Sequence, residues 1–141
     1  SVYTESPRSV SSTLAVGTNA VYVSRQASGA TTTVNSIFLE APGFAAVHED
    51  DQSGEGKPGK TIGVSELLPK GESKNILISL SKNVREGEKL WVALYLDNGD
   101  KKFSVEKDKP ALDQFKKPVM TMVMVENDKG NGGENPAEIS L

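Results

Sequence analysis

One segment of the chain has the residue types that bind a hard cation. It runs Asp97-Asn98-Gly99-Asp100-Lys101-Lys102-Phe103 and is followed by further acids. Carboxylate and amide oxygens grouped in a glycine-containing turn are the ligands that Ca²⁺ prefers. The candidate metal ligands are Asp97, Asn98, Asp100, Glu106 and Asp108. Calcium is therefore the cofactor that the sequence suggests.

The spacing of these residues departs from that of a standard calcium loop. Such a loop takes ligands from positions 1, 3 and 5 and a bidentate acid from position 12. Asn98 and Asp100 suit positions 3 and 5. Position 1 is then Leu96 and position 12 is Lys107, and neither side chain offers an oxygen. Because Asx-rich turns also form without an ion, an ion-free turn remains open as an alternative.

A second acidic group, Glu49-Asp50-Asp51 with Glu55, lies in a glycine-rich stretch without apolar residues at 49–60. The stretch is typical of a surface loop. Two acidic loops that met at one end of a domain would share one ion. The simpler interpretation is that these acids only keep a loop hydrated.

The sequence shows no set of residues typical of a catalytic site. The chain has no cysteine and one histidine, His48, which ends an apolar run and is expected to be a hydrogen-bonded structural residue. Ser65 lacks the G-x-S-x-G spacing of a nucleophile elbow, and no glycine-rich loop suits a phosphate. We therefore predict no catalytic residues and a protein that is not an enzyme.

Three methionines alternate in Met120-Thr121-Met122-Val123-Met124. Alternation puts all three on one face of a strand, where thioethers would suit Cu(I). Since no cysteine and no second histidine accompany them, we predict instead that they fill the core as flexible side chains. Trp91 is likewise predicted to be a core residue.

Two-residue alternation dominates the chain and predicts strands rather than helices. Glycine, proline and asparagine turns separate the segments, and this spacing is typical of an all-β antiparallel sandwich of seven to nine strands. In the long polar segment 97–118, the residues Phe103, Val105, Leu112 and Phe115 are predicted to anchor the loop. The predicted strands are 10–16, 20–26, 31–39, 44–48, 61–68, 76–80, 90–96, 119–125 and 137–141.

Composition limits the partners and the location. The 141 residues suit one domain, and the net charge of −3 without a basic cluster argues against nucleic-acid binding. No apolar run reaches the ~18 residues of a membrane span. The start Ser1-Val2-Tyr3 lacks an initiator methionine, so we expect a mature secreted chain after removal of a signal peptide. An arbitrary domain boundary is the alternative.

Residues from about 34 to 123 resemble an uncharacterised domain family of secreted and cell-surface proteins in archaea and some bacteria. The resemblance implies an extracellular, immunoglobulin-like β-sandwich, and it implies no reaction. Relatives often carry histidine where Tyr95 stands and a fuller D-x-N-x-D-G loop at 97–101. The segments that carry the resemblance are Gly43 to Glu49, Pro58 to Leu68, Gly71-Glu72, Leu90 to Asp100 and Lys109 to Ala111.

The N-terminal residues suggest how such a domain would act. Residues 1–19 lie outside the resemblance, and Val10, Leu14 and Val16 alternate like a strand without an assigned place in the domain at 20–141. A strand of this kind can add to the sheet edge of a neighbouring copy. We therefore expect a structural subunit of an extracellular filament or surface layer, with the chain itself as partner. The alternatives are an ordinary first strand and a soluble calcium- or ligand-binding adhesive module.

Overall fold

The computed structural model describes residues 18–127, and these form eight β-strands. No helix in this part of the chain has the length and hydropathy needed to cross a lipid bilayer. The predicted all-β sandwich is confirmed, and the count falls within the expected seven to nine strands. The strands are β1 Ala20–Tyr22, β2 Gly29–Leu39, β3 Gly43–Asp50, β4 Pro58–Val64, β5 Gly71–Val84, β6 Lys89–Leu96, β7 Lys109–Pro110 and β8 Met120–Met124.

The strands form two antiparallel sheets. The smaller sheet has the order β1-β2-β5, and the larger has the order β4-β3-β6, with both β7 and β8 paired to the far side of β6. Strand β7 pairs with Tyr95 and Leu96, whereas β8 pairs with residues 89–93 of the same strand. The two short strands therefore lie end to end and together form one edge of the larger sheet.

The main core lies between the sheets, because successive side chains of a strand point to opposite faces. From β6, Leu90, Val92 and Leu94 point inward and are almost fully buried. The other sheet contributes inward side chains at alternating positions of β2 and β5. Fully buried side chains at the centre include Val34, Ile37, Leu39, Val47, Ile78, Val84, Val92, Leu94 and Val125.

A second, smaller apolar cluster covers the outer face of the larger sheet. Ala46, Ala93 and Tyr95 are buried there, and Phe103 packs on them from the loop that follows β6. The Phe103 ring meets Tyr95 and Phe44 edge-on, with centroid distances of 5.1 and 5.7 Å. This cluster explains why β6 carries apolar side chains on both faces.

Several predicted buried residues are exposed instead. Of the four predicted anchors in segment 97–118, Phe103 is packed, whereas Val105, Leu112 and Phe115 are exposed. The loop does not need them, because its own hydrogen bonds fix its shape: the Asp113 carboxylate accepts the backbone N–H groups of Phe115 and Lys117 at 2.8 and 3.0 Å.

The prediction that the methionines fill the core is wrong. Met120, Met122 and Met124 are exposed, and Val123 and Val125 point into the core in their place. The physical reason is that only one face of a strand meets the opposite sheet, and the second apolar cluster, which covers the outer face of β6, does not include residues of β8. Trp91 is partly buried, with its indole N–H donating to Oδ1 of Asp50 at 3.0 Å.

The predicted donor strand with Val10, Leu14 and Val16 lies outside the described residues, as does the predicted last strand at 137–141. The residue before β1, Asn19, is buried and attaches the start of this strand to the rest of the sandwich. Its side-chain amide donates to Oε2 of Glu40 at 3.0 Å and to the carbonyl of Leu112 at 2.8 Å.

Candidate metal centre

The loop at 97–108 is closed at its base by strand pairing. Leu96, the last residue of β6, is the register partner of Lys109, the first residue of β7. Asp97 and Asp108 are the residues just inside this pair, so the pairing brings their carboxylates together across the base of the loop. The larger sheet thereby builds one side of a candidate cation site.

Three carboxylates meet inside this loop. One oxygen from each of Asp97, Asp100 and Asp108 lies within 4.8 Å of the other two. Asp108 is buried, Asp97 is half-buried and Asp100 is exposed, so the group opens from the protein body towards solvent. Carboxylates at this separation repel one another, and a divalent cation between them would offset that repulsion. These three side chains could hold a metal ion.

Backbone N–H groups orient the carboxylates. Asp108 accepts the N–H of Asn98 at 3.1 Å and that of Ser104 at 2.8 Å, one on each oxygen. Asp97 accepts the N–H of Gly99 at 3.1 Å and that of Lys101 at 3.0 Å. Gly99 has φ +108°, a conformation that glycine adopts without strain. The loop therefore holds its acids in place before any ion arrives.

The other two predicted ligands differ in their surroundings. Glu106 is exposed and is not part of the cluster of three aspartates. Asn98 is exposed, and its amide oxygen accepts the backbone N–H of Asp100 at 3.1 Å.

The observed loop is not a standard calcium loop in another register either. Asp97 and Asp108, both predicted as ligands, stand eleven positions apart, as positions 1 and 12 of such a loop do. Positions 3 and 5 of that register are Gly99 and Lys101, whose side chains offer no oxygen. The separation of eleven positions is the sequence signal that links the two aspartates.

The second acidic group is remote from the first. Strand β3 pairs with β6 from Gly43 opposite Leu96 to Glu49 opposite Leu90, which separates the two ends by about 20 Å. The interpretation that both acidic loops converge on one ion is therefore wrong.

The acids at this far end have protein partners. Glu49 forms an ion pair with Lys82 at 2.8 Å, and Asp50 accepts the indole N–H of Trp91. Hydrogen bonds from the backbone and hydroxyl of Ser53 lower the pKa of Asp51. Each of these carboxylates thus contributes to the structure of the loop.

His48 is buried and hydrogen-bonded through both ring nitrogens. Nδ1 lies 3.0 Å from the carbonyl of Gly59, and Nε2 lies 3.0 Å from the hydroxyl of Tyr95. Burial lowers the pKa of His48 and raises the pKa of Tyr95, so both side chains are neutral at pH 7. Nδ1 then donates to Gly59, and the Tyr95 hydroxyl donates to Nε2. The ring links β3, β4 and β6.

Ser65 likewise has structural partners. Its hydroxyl accepts the backbone N–H of Ala45 at 3.0 Å and donates to the carbonyl of Glu66 at 2.8 Å. The first bond fastens the residue after β4 to β3, and the second is local to the segment that follows β4. The hydroxyl has no histidine beside it to accept its proton, because both nitrogens of His48 are engaged elsewhere.

Comparison with known protein families finds a match that covers most of the chain. Residues 19–126 match a family model described as "Domain of unknown function (DUF7282)". The matched range contains all eight strands and the loop at 97–108. No curated protein and no solved structure matches the chain.

Proposed function

We propose that the chain, which belongs to the DUF7282 family, is an extracellular, immunoglobulin-like β-sandwich module that binds one Ca²⁺ ion through its loop at 97–108. The observation that carries this proposal is the meeting of Asp97, Asp100 and Asp108. The expected location derives from the sequence resemblance to secreted and cell-surface domains.

The chemistry of the loop favours calcium over a transition metal. All three side chains offer oxygen, which suits hard cations, whereas zinc and copper prefer nitrogen and sulfur. The sequence has no cysteine, and both nitrogens of His48 are engaged. Ca²⁺ takes six to eight oxygen ligands, so backbone carbonyls and water would supply those that the three carboxylates do not. We expect an affinity of about 10⁻⁴ to 10⁻³ M, as in other extracellular calcium modules.

Bound calcium would stabilise one end of the sandwich. The loop carries Phe103, which packs on Tyr95 and Phe44 over the outer face of the larger sheet. The backbone N–H of Asp97 donates to the carbonyl of Pro42 at 2.9 Å and so ties the loop to the turn between β2 and β3. An ion that fixes the loop thereby fixes the surface that this end presents to a ligand.

Calorimetric titration of Ca²⁺ into chelator-treated protein tests the proposal. We expect binding of one ion per chain, weakened at least tenfold by Asp100→Asn. Asp100 is exposed, so this variant should fold normally.

Asp113→Asn is the matched control. Asp113 accepts the backbone N–H groups two and four positions later, as Asp97 does, but lies outside the cluster of three aspartates. This variant should bind calcium like the wild type. An absence of heat with the wild-type chain, or equal loss in both variants, would contradict the proposal.

A second function, assembly by strand addition, is favoured by an open groove beside β5. In residues 18–127, this fourteen-residue strand pairs only with β2. A groove of about 520 Å³ separates its first half from the connection that follows β4, and Leu77 in this groove is 64% exposed. An extended segment placed there would gain main-chain hydrogen bonds and cover Leu77. The lining residues are Glu66, Leu67, Leu68, Pro69, Ser73, Asn75, Ile76 and Leu77.

The donor in this second proposal is the segment with Val10, Leu14 and Val16 of a neighbouring copy, which would build an extracellular filament or surface layer. Light scattering of the full chain and of a variant without residues 1–16 tests it. We expect concentration-dependent polymers from the full chain, and monomers from both the deletion and Leu77→Asp. Equal size distributions for all three proteins would exclude strand addition at this edge.

A further inference from the structure

All three methionines of the chain occupy one face of β8. The sequence contains three methionines, at positions 120, 122 and 124, and they are 37, 44 and 41% exposed. Methionine is an apolar residue that normally fills gaps in a core. The three thioethers are thus partly accessible to solvent along one face of a five-residue strand.

The register of β8 defines the surroundings of this row, which we name the methionine row. Met120 lies opposite Ala93, Met122 lies opposite Trp91 and Met124 lies opposite Lys89. Directly paired residues of antiparallel strands point to the same face. The row therefore borders an alanine, an indole and a lysine on the outer side of the larger sheet.

We propose that the methionine row is a binding site for the soft monovalent cation Cu(I). Thioether sulfur is a soft ligand that selects Cu(I) over hard cations. Alternate residues of a strand lie about 7 Å apart, and the flexible methionine side chain lets two neighbouring sulfurs approach one ion. Met122 belongs to both neighbouring pairs. The row consequently binds one ion per chain, and Met122 contributes in either arrangement.

The rest of the chain makes this site selective for the reduced ion. Cu(II) and Zn²⁺ favour imidazole or thiolate ligands. The sequence has no cysteine, and the ring nitrogens of His48 are bonded to Gly59 and Tyr95. Calcium should not compete for this site, because neutral thioethers are poor ligands for a hard divalent cation.

Charge distinguishes the two pairs of sulfurs. Lys89 opposite Met124 repels a cation bound between Met122 and Met124. Ala93 opposite Met120 carries no charge. The pair Met120–Met122 is therefore the preferred one. The order of importance is Met122, then Met120, then Met124.

Nuclear magnetic resonance of the full chain with ¹³C-labelled methionine methyl groups tests this assignment. The probe is Ag(I), a redox-stable soft cation, followed by Cu(I) under anaerobic conditions. We expect the Met120 and Met122 methyl signals to shift most and to saturate at one ion per chain. Fluorescence of Trp91, the chain's single tryptophan, should be quenched at the same ratio.

Substitution by leucine gives the decisive comparison, because leucine conserves volume and these side chains are on the surface. Met122→Leu should weaken Ag(I) binding at least tenfold, Met120→Leu about fivefold and Met124→Leu less than about threefold. Methyl signals that do not move, or Met122→Leu protein that binds like the wild type, would overturn the proposal. Zn²⁺ and Ca²⁺ that shift the methyl signals as strongly as Ag(I) would overturn the claimed selectivity.

Discussion

His48 connects three strands through hydrogen bonds of one neutral ring. The side chain belongs to β3, its Nδ1 contacts Gly59 and Thr61 of β4, and its Nε2 contacts Tyr95 of β6. Protonation of the ring would turn Nε2 into a donor that faces the Tyr95 hydroxyl, and the hydroxyl would lose its acceptor. The neutral ring is therefore the form that the fold favours, in agreement with the lowered pKa of His48.

This arrangement predicts that acid destabilises the fold in a defined range of pH. Burial lowers the pKa of His48 from its ordinary value of 6.5, so the unfolded chain binds more protons below that pH. The stabilisation is complete above about pH 7, declines as the pH falls through 6.5, and is lost once the pH passes the lower folded-state pKa. The slope cannot exceed about 1.4 kcal/mol per pH unit for one group.

Urea unfolding at pH 7.5, 6.5 and 5.5 measures this effect. His48 is the only histidine, so His48→Gln should remove most of the pH dependence in this range. Greater stability at pH 5.5 than at pH 7.5 in the wild type, or an unchanged slope in the variant, would show that the ring is not held neutral.

Residue types alone predicted the structural role of His48 but not its hydrogen-bond partners. An apolar run that ends in a lone histidine indicated a structural role for His48, and the observed bonds agree with that role. Its partners could not be predicted, because Gly59 and Tyr95 lie on different strands and neither carries a local signal. Ser65 is a similar case, since its hydroxyl braces the backbone of Ala45.

At the scale of elements, long alternating segments were predictable and short or polar ones were not. Strands β2, β3, β6 and β8 fall close to the predicted ranges. Strand β7 has two residues, one of them proline, so no periodicity reveals it. Much of β5 carries polar side chains at an edge, and the prediction covered only its apolar centre. Because β7 closes the loop at 97–108, its omission also hid the pairing of Asp97 with Asp108.

The methionine row illustrates a different limit of prediction from sequence alternation. Alternation correctly assigns the three methionines to one face of a strand. It cannot say which face is buried when both are apolar, because that depends on which face meets the opposite sheet. The orientation of β8 follows from its register with β6 and is a property of the assembled sheet.

Close backbone contact at the start of β3 gives a prediction at this scale. A Cβ on Gly43 would lie 2.1 Å from the carbonyl oxygen of Tyr95, and Gly43 also exchanges backbone hydrogen bonds with Leu68. Gly43→Ala should therefore lower the free energy of unfolding by about 3 kcal/mol, at the upper end of ordinary overpacking.

Gly54→Ala is the control for this substitution. Nothing lies within 4 Å of a Cβ at Gly54, which has φ +83°, so only conformational strain of about 1 kcal/mol is expected. Urea unfolding of both variants measures the difference. An equal loss of stability in the two variants would show that β3 and β6 can separate to admit a methyl group.

On the scale of the whole molecule, the sandwich separates its acidic groups. The loop at 97–108 lies at one end of β3 and β6, and the Glu49–Asp51 group lies at the other, about 20 Å away. The first end holds carboxylates that meet one another, whereas the second holds carboxylates bonded to Lys82, Trp91 and Ser53. A calcium response should therefore come from one end only.

The spectrum of backbone amides during a calcium titration tests this account most directly. Chelator-treated, ¹⁵N-labelled protein should show amide shifts at residues 97–108 that saturate at one ion per chain. Residues 49–55 should stay unchanged, and Asp100→Asn should suppress the shifts. A spectrum that does not respond to millimolar Ca²⁺, or one whose shifts are confined to residues 49–55, would contradict a calcium site at the Asp97 loop.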